Sequence, residues 1–495
     1  MFLGWIFRVR KNAHATKEDI AYILALTMVF IIFFNLFHVR GVRGDGQHYY
    51  AVTRSLMVDG DLNFTNEYTY LGSRRMGPTI DPRQTTVTGL PRSPYPLGLS
   101  LIWIPFFLAA NLWEQSLGAV ADGYAQSYYS SVTTATVIFS YSTLLIIYFF
   151  LRRILNSKVA LASTVTTFIC TSLFYYTYHD PSMTHAYSAF FVAAFITYHL
   201  RPGRRYCIKD SIILGVLIGL MSLVRWQDLL FCGIMIFDII PISEKKPKIK
   251  FKEFIKYNLL VFFVAAIVFS PQLIFWKIIF GSYITSPFPK SSLNQWILKF
   301  QIVGCALAAS LGFYWGVKST RLRRYKKLVY LVVAVVGMYL FVHSTAFKII
   351  FSTRHGLFIW TPITALSMIG FIWMNTKDNN LSTRLITAFA VQVFFISLTV
   401  SWDGGWSYGI RMLTNSAIVF ATGLSFFIDY IRRRSSWIVI VFILLPFIVW
   451  NLLLMVQIAD NHMLIDPNVP FSRILEGQYN RAPQMLWKLI TQGRQ

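Results

Sequence analysis

The sequence predicts an all-α polytopic membrane protein, with about 13 transmembrane helices and a large first extracytoplasmic loop carrying interfacial helices. Three observations predict it. Apolar residues fall in blocks long enough to cross a bilayer, which takes roughly 20 residues as a helix. Charged residues make up only 14% of the 495-residue chain, against about a quarter in a soluble domain. Lys and Arg, which outnumber Asp and Glu by 46 to 21, lie between the apolar blocks rather than within them. A soluble enzyme is excluded, and the 17% aromatic content excludes a disordered basic chain. The net charge of +25 therefore speaks of membrane orientation and not of nucleic acid.

Long apolar runs predict helices near 19–38, 128–151, 158–177, 184–200, 210–225 and 227–241. Others follow near 257–279, 294–316, 327–343, 357–375, 383–401, 411–431 and 436–456. The runs 210–225 and 227–241 are short and nearly continuous, so they also read as one long helix. Charge decides the run 96–113. If it lies on or dips into the outer surface, the loops 1–18, 152–157, 201–209, 242–256, 317–326, 376–382 and 432–435 share one side. With their immediate edges these carry 28 of the 46 basic residues. Counting 96–113 as a span would put Arg152, Arg153, Arg204, Arg205 and Arg432 to Arg434 outside, against the positive-inside rule. The expectation is N-terminus inside and C-terminus outside, with a transmembrane domain over 1–456, a first outer loop over 39–127 and an outer tail over 457–495.

The first apolar run follows Arg8, Arg10, Lys11 and Lys17 and lacks a small-x-small cleavage site, so it reads as a retained signal anchor. Cys170, Cys232 and Cys305 fall in spans and Cys207 in an inner loop, which implies no disulfide framework. Asn63-Phe64-Thr65 fits the glycosylation pattern, a three-residue match of little specificity. The sequence shows no repeat, no low-complexity tract and no sign of a broken helix.

With orientation set, the unusual polar residues gather at outer helix ends. The first outer loop opens with Arg43-Gly44-Asp45-Gly46-Gln47-His48-Tyr49-Tyr50 and continues through Asp59-Gly60-Asp61 to Pro94-Tyr95-Pro96-Leu97-Gly98. His179-Asp180-Pro181-Ser182-Met183-Thr184-His185, Arg225-Trp226-Gln227-Asp228, Ser352-Thr353-Arg354-His355-Gly356 and Trp402-Asp403-Gly404-Gly405-Trp406 to Arg411 lie at the same level. Inner loops hold simple basic runs, which a solvated face explains. Ionisable groups at membrane depth are expensive and usually functional.

Asp45 has two readings, a general base or a cap for the helix starting at His48. Arg225, Arg354 and Arg411 have few acids nearby. They read either as bidentate ligands of a phosphate or as side chains snorkelling to headgroups. His185 and His355 are candidate substrate contacts, with satisfied polar groups as the plainer reading, and Tyr49 joins them from the Asp45 stretch. Asp59-x-Asp61 resembles a short metal-binding pair but lacks further ligands. No metal ligand is assigned: a divalent metal is compatible with the sequence and not required by it. Trp402, Trp406 and Tyr408, around two glycines, read as aromatic belt or as a sugar-stacking platform.

On these residues the chain resembles the GT-C superfamily of integral-membrane glycosyltransferases, in particular bacterial members akin to protein O-mannosyltransferases and the lipid A aminoarabinose transferase. The resemblance rests on many spans, a large first outer loop, an acid soon after the first helix, and Pro94-Tyr95-Pro96-Leu97-Gly98 before an apolar interfacial helix. It implies an inverting enzyme at the outer face of a bacterial plasma membrane. Such an enzyme takes a sugar from polyprenyl phosphate and gives it to a glycan, glycolipid or protein hydroxyl. The base role falls on Asp45. Several relatives have two adjacent acids there, whereas this chain has Asp45-Gly46, so the neighbouring role falls to Asp59 or Asp61 or is missing. The rival readings are an O-antigen polymerase or ligase, which places its main outer loop late in the chain, and a transporter, which predicts broken helices and repeats.

Overall fold

The computed structural model describes residues 17–73, 85–240, 249–285, 344–399, 401–459, 469–485 and 487. The predicted spans 294–316 and 327–343 lie outside these residues, as does the whole inner loop 317–326 between them. The other eleven predicted spans coincide with helical segments. These begin with α1 (Lys17–Phe37), α2 (Gly46–Arg54), α3 (Thr65–Ser73), α4 (Gly98–Ser116) and α5 (Gln126–Arg152). α6 (Ser157–Ile169), α7 (Ser172–Tyr178), α8 (His185–His199), α9 (Ile208–Val224) and α10 (Phe251–Phe280) follow. Next come α11 (Thr345–Phe351), α12 (Leu357–Trp360), α13 (Ile363–Lys377), α14 (Asn379–Leu398), α15 (Ala417–Arg432), α16 (Trp437–Ala459) and α17 (Phe471–Glu476). Among the described residues there is no strand, only one isolated bridge between Thr85 and Pro91.

By length and composition, six described helical segments can cross a membrane: α1, α5, α10, α14, Arg411–Arg432 and α16. The chain is a multi-pass membrane protein. Side-chain distribution follows from that. α1 turns Ile20, Leu24, Met28, Ile31, Ile32 and Leu36 outward, an apolar face for lipid, while α15 is buried from Ala417 to Asp429. α6, α11 and α14 begin where Asn156, Ser344 and Asp378 accept a first-turn N–H.

Three predicted helices are broken, among them 357–375, which divides at Thr361-Pro362 into α12 and α13. The segment 158–177 divides into α6 and α7, bent by 67°. The continuous-helix option for 210–241 fails at Arg225, whose extended backbone (φ −152°) separates α9 from a 3₁₀ segment, Trp226–Asp238. The expectation of unbroken helices is corrected at all three places.

α4, the predicted interfacial helix, lies across one end of the bundle. Its Gly98 abuts the Leu223 carbonyl at the end of α9. Its Trp103 indole donates to the Tyr187 hydroxyl near the start of α8 (2.9 Å), and its Asn111 accepts from Tyr128 at the start of α5 (2.7 Å). All three contacts are at the end that carries Asp45.

The opposite end corrects the reading of its basic residues as a solvated face. Arg152 pairs with Asp19 (2.6 Å), Arg201 with Asp210, Arg204 and Arg384 both with Asp238, and Lys377 (2.7 Å) and Arg433 (3.0 Å) with Asp429. Between the two ends, α13 and α15 touch through glycine. A Cβ on Gly370 would lie 1.8 Å from the Gly423 carbonyl oxygen, and one on Gly423 2.1 Å from that of Ser367. Small residues allow this close backbone approach between membrane helices.

Candidate active site

Asp45 stands at the start of α2 without capping it, because its carboxylate makes no bond to the helix N–H groups. One oxygen accepts from the Tyr95 hydroxyl at 2.8 Å, and the other accepts from the Arg411 guanidinium at 2.9 Å. The capping reading is overturned by this geometry. α2 can start here because residue 46 is glycine: a Cβ there would meet the Ser182 side chain at 2.4 Å. That approach brings up the 179–184 turn, whose Ser182 hydroxyl contacts the Arg43 backbone and the Asp180 carboxylate (3.1 Å). Burial and the neighbouring Asp45 charge push Asp180 up to about 6, against the pull of the Ser182 hydroxyl. Sequence reasoning placed Asp180 at the outer end and gave it no role. Its signal was a single acid directly after an aromatic helix end.

Three further predicted residues close around this pair. Tyr49 is buried beside Asp45, Arg225 and Arg411. Arg225 contacts the ring of buried His185 and donates to the Gln227 side chain at 3.1 Å. Gln227 in turn donates to the Met412 carbonyl (2.8 Å), next to Arg411. Arg225 is therefore held inward by polar partners, which does not fit headgroup snorkelling. The expectation that these arginines lack nearby acids is corrected twice, since Arg354 also pairs, with Asp403 at 2.5 Å.

His355 is the one non-glycine residue with positive φ (64°) among the described residues, a backbone conformation that must be over-determined by its surroundings. Its Nδ1–H donates to the Asp403 carbonyl at 2.8 Å, and its ring meets Trp360 edge-on at 4.9 Å. Burial lowers it to about 4, so the ring is neutral and ties the 352–356 turn to the 403–411 loop. Trp402 is half-buried, and Trp406 is 70% exposed.

Asp59 and Asp61 lie elsewhere. α2 continues through a π-turn to Asp59, putting it roughly 15–20 Å along the axis from Asp45. Asp59 accepts from Arg54 (2.6 Å) and Asn66 (2.8 Å), and Asp61 from the Ser55 hydroxyl (2.7 Å) and the Asn63 N–H (3.0 Å). They build the turn. Among the described residues no three His, Cys, Asp or Glu side chains are grouped to hold a metal ion.

The geometry sets a carboxylate, a phenol and three guanidinium groups at one end of a helical bundle. Residues 126–275, which supply Asp180, His185 and Arg225 to it, match the family model of dolichyl-phosphate-mannose-protein mannosyltransferase. That family is one of GT-C glycosyltransferases, and the match covers this segment. Asp45, Arg354 and Arg411 reach the matched segment from outside it. Sequence comparison finds no match among curated proteins. Among solved structures, the chain is similar to the oligosaccharyltransferase of Archaeoglobus fulgidus. In the complex with zinc and sulfate it shares 15% identity and a TM-score of 0.48, covering 92% of this chain and 53% of that one. In the form tethered to an acceptor peptide the identity is 13% and the TM-score 0.48, over 94% and 54%. The chain thus spans about half the length of that enzyme.

Proposed function

We propose that the protein is an inverting glycosyltransferase that moves a sugar from a polyprenyl-phosphate donor to an acceptor hydroxyl at the outer face of the membrane. The observation that carries it is the meeting of Asp45 with Arg411, one group able to take a proton and the other able to hold a phosphate. Asp45 takes the proton of the acceptor hydroxyl as its oxygen attacks the anomeric carbon, and the phosphate leaves with the bonding electrons. Arg411, Arg354 and Arg225 hold the developing charge on the leaving phosphate. Asp180 takes the place of the second acid, in preference to Asp59 or Asp61. Tyr49, His185 and His355 line the donor side, and Trp402 and Trp406 the sugar side. The name of the matched family supports a lipid-linked sugar as donor, and the acceptor class is a glycan, glycolipid or protein.

The topology belongs to the same proposal: thirteen spans in a bacterial plasma membrane, N-terminus cytoplasmic, with the Asp45 end outside. Cysteine labelling at positions 120 and 155 checks it, since α5 must place them on opposite sides. The transporter reading gains from the three broken helices, yet among the described residues the paired charges sit at the bundle ends rather than at its middle. Lys299, the one clear cation the sequence puts within a span, lies outside them. Mass spectrometry of lipids co-purifying with the protein tests the function. A polyprenyl-phosphate sugar is expected. Recovery of only bulk phospholipids, together with no transfer from any polyprenyl-phosphate sugar, would refute it.

A further inference from the structure

The proposed base and the proposed phosphate ligand are bonded to each other, and this has a consequence for their order of use. While Arg411 holds one Asp45 oxygen at 2.9 Å, that oxygen is committed, and so is the guanidinium edge a phosphate would take. The pair is not sealed: the Asp45 side chain is 24% exposed and that of Arg411 18%. A phosphate dianion or diester offers the guanidinium a fork of oxygens, a better match than the single carboxylate oxygen it now has. Tyr95 approaches from a different direction. Its hydroxyl donates to the other Asp45 oxygen at 2.8 Å, and it comes from the 91–97 segment before α4, remote in sequence from both partners. Its ring is set by Tyr49 (5.5 Å) and His48 (4.9 Å), so the phenol stays where it is when Arg411 changes partner.

Resting on the reading above, we propose that donor phosphate displaces Asp45 from Arg411, and that Tyr95 is the positioning residue that keeps the freed carboxylate in place. Donor arrival then releases the base, and acceptor deprotonation follows it. The exchange is internal to the site, because the negative charge leaving Arg411 is replaced by that of the phosphate. A site organised this way makes an unusual demand: removing the base must improve phosphate binding.

The experiment measures binding of undecaprenyl phosphate to the detergent-solubilised full-length chain. Asp45→Asn keeps the Tyr95 bond but frees Arg411, and should tighten binding about tenfold, the scale of one charge-assisted hydrogen bond. Asp45→Ala should tighten it as well, which guards against a folding artefact in either variant. Asp180→Asn removes an acid that acts on Asp45 and Arg411 through space but bonds to neither, and should change affinity less than about threefold at ordinary salt. Tyr95→Phe should leave affinity within about twofold while transfer from the donor found by lipid analysis falls about tenfold, because a mobile base is misaligned.

Unchanged or weaker binding in both Asp45 variants would overturn the exchange. Equal tightening in Asp180→Asn would also overturn it, by assigning the effect to the general field. Wild-type transfer in Tyr95→Phe, or a parallel loss of affinity, would remove the positioning role. Failure of the underlying reading looks different: undecaprenyl phosphate would then bind Arg411→Lys as well as it binds the wild type.

Discussion

Both ends of the bundle hold ion pairs between sequence-distant residues, but they hold their acids differently. At the end opposite Asp45, the carboxylates of Asp19, Asp210, Asp238 and Asp429 are at most 4% exposed, and most have two basic or phenolic partners. At the Asp45 end, Asp45 is 24% exposed although it has both Arg411 and Tyr95 as partners, and Asp403 is 12% exposed with Arg354. Exposure and not partner number separates the two sets. A dry carboxylate cannot lose a partner without leaving a buried charge uncompensated, which is strongly destabilising. A partly wetted one can exchange. The first set fastens helix ends, and the second is free to do chemistry.

Five substitutions probe that division. The largest effect belongs to Asp45→Asn, which should lower transfer about 10²–10⁴-fold, the usual contribution of a general base. Its thermal stability should stay within about 1 kcal/mol of wild type, because the pair is part-exposed. Near-normal transfer would move the base elsewhere, with Asp180 the next residue to test.

Asp238→Asn makes the reverse prediction. It strands Arg204 and Arg384, the latter among the largest fully buried side chains, and should cost about 3–5 kcal/mol in unfolding measurements. A stability equal to wild type would erase the contrast between the ends.

Arg354→Lys and Arg411→Lys keep charge but lose the planar fork, and each should raise the donor KM about tenfold with expression unchanged. Wild-type kinetics in both would show that neither guanidinium binds phosphate.

The smallest effect is on pH. His355 ordinarily titrates near 6.5 but is lowered to about 4 in the fold by burial. The unfolded chain therefore takes up a proton that the folded one refuses. The stability this ring contributes is fully present above about pH 6.5 and is lost as pH falls towards 4. Between pH 7 and 5 the melting temperature should drop more for wild type than for His355→Gln. Equal slopes would mean the ring is not held neutral.

The level of each polar residue was legible in the sequence, because Asp45, Arg225, Arg354 and Arg411 each adjoin the end of an apolar run. Their pairing was not. Asp45 and Arg411 are 366 residues apart, and nothing in either segment names the other. Asp59-x-Asp61 shows the opposite failure: the spacing was visible, but its partners Arg54 and Ser55 are local, so a turn looked like a ligand pair. The break at Cys170-Thr171 carries no proline and apolar residues run on across it, whereas those at Arg225 and Thr361 had a visible sign, the polar stretch Arg225-Trp226-Gln227-Asp228 and Pro362. The buried acids opposite Asp45 were masked by the surrounding excess of Lys and Arg, which orientation alone seemed to explain.

The glycine contact between α13 and α15 bears on the distance between two of these cations. Both helices run away from the Asp45 end, one continuing from the turn that carries Arg354 and the other from the loop that carries Arg411. Where they touch, no side chain intervenes, so the gap is fixed by backbone against backbone. The spacing of the arginines is therefore gauged deep in the bundle, several turns from either guanidinium. A single methyl group at 370 or 423 would act as a shim, wedging the two helices apart and opening the jaws at the far end.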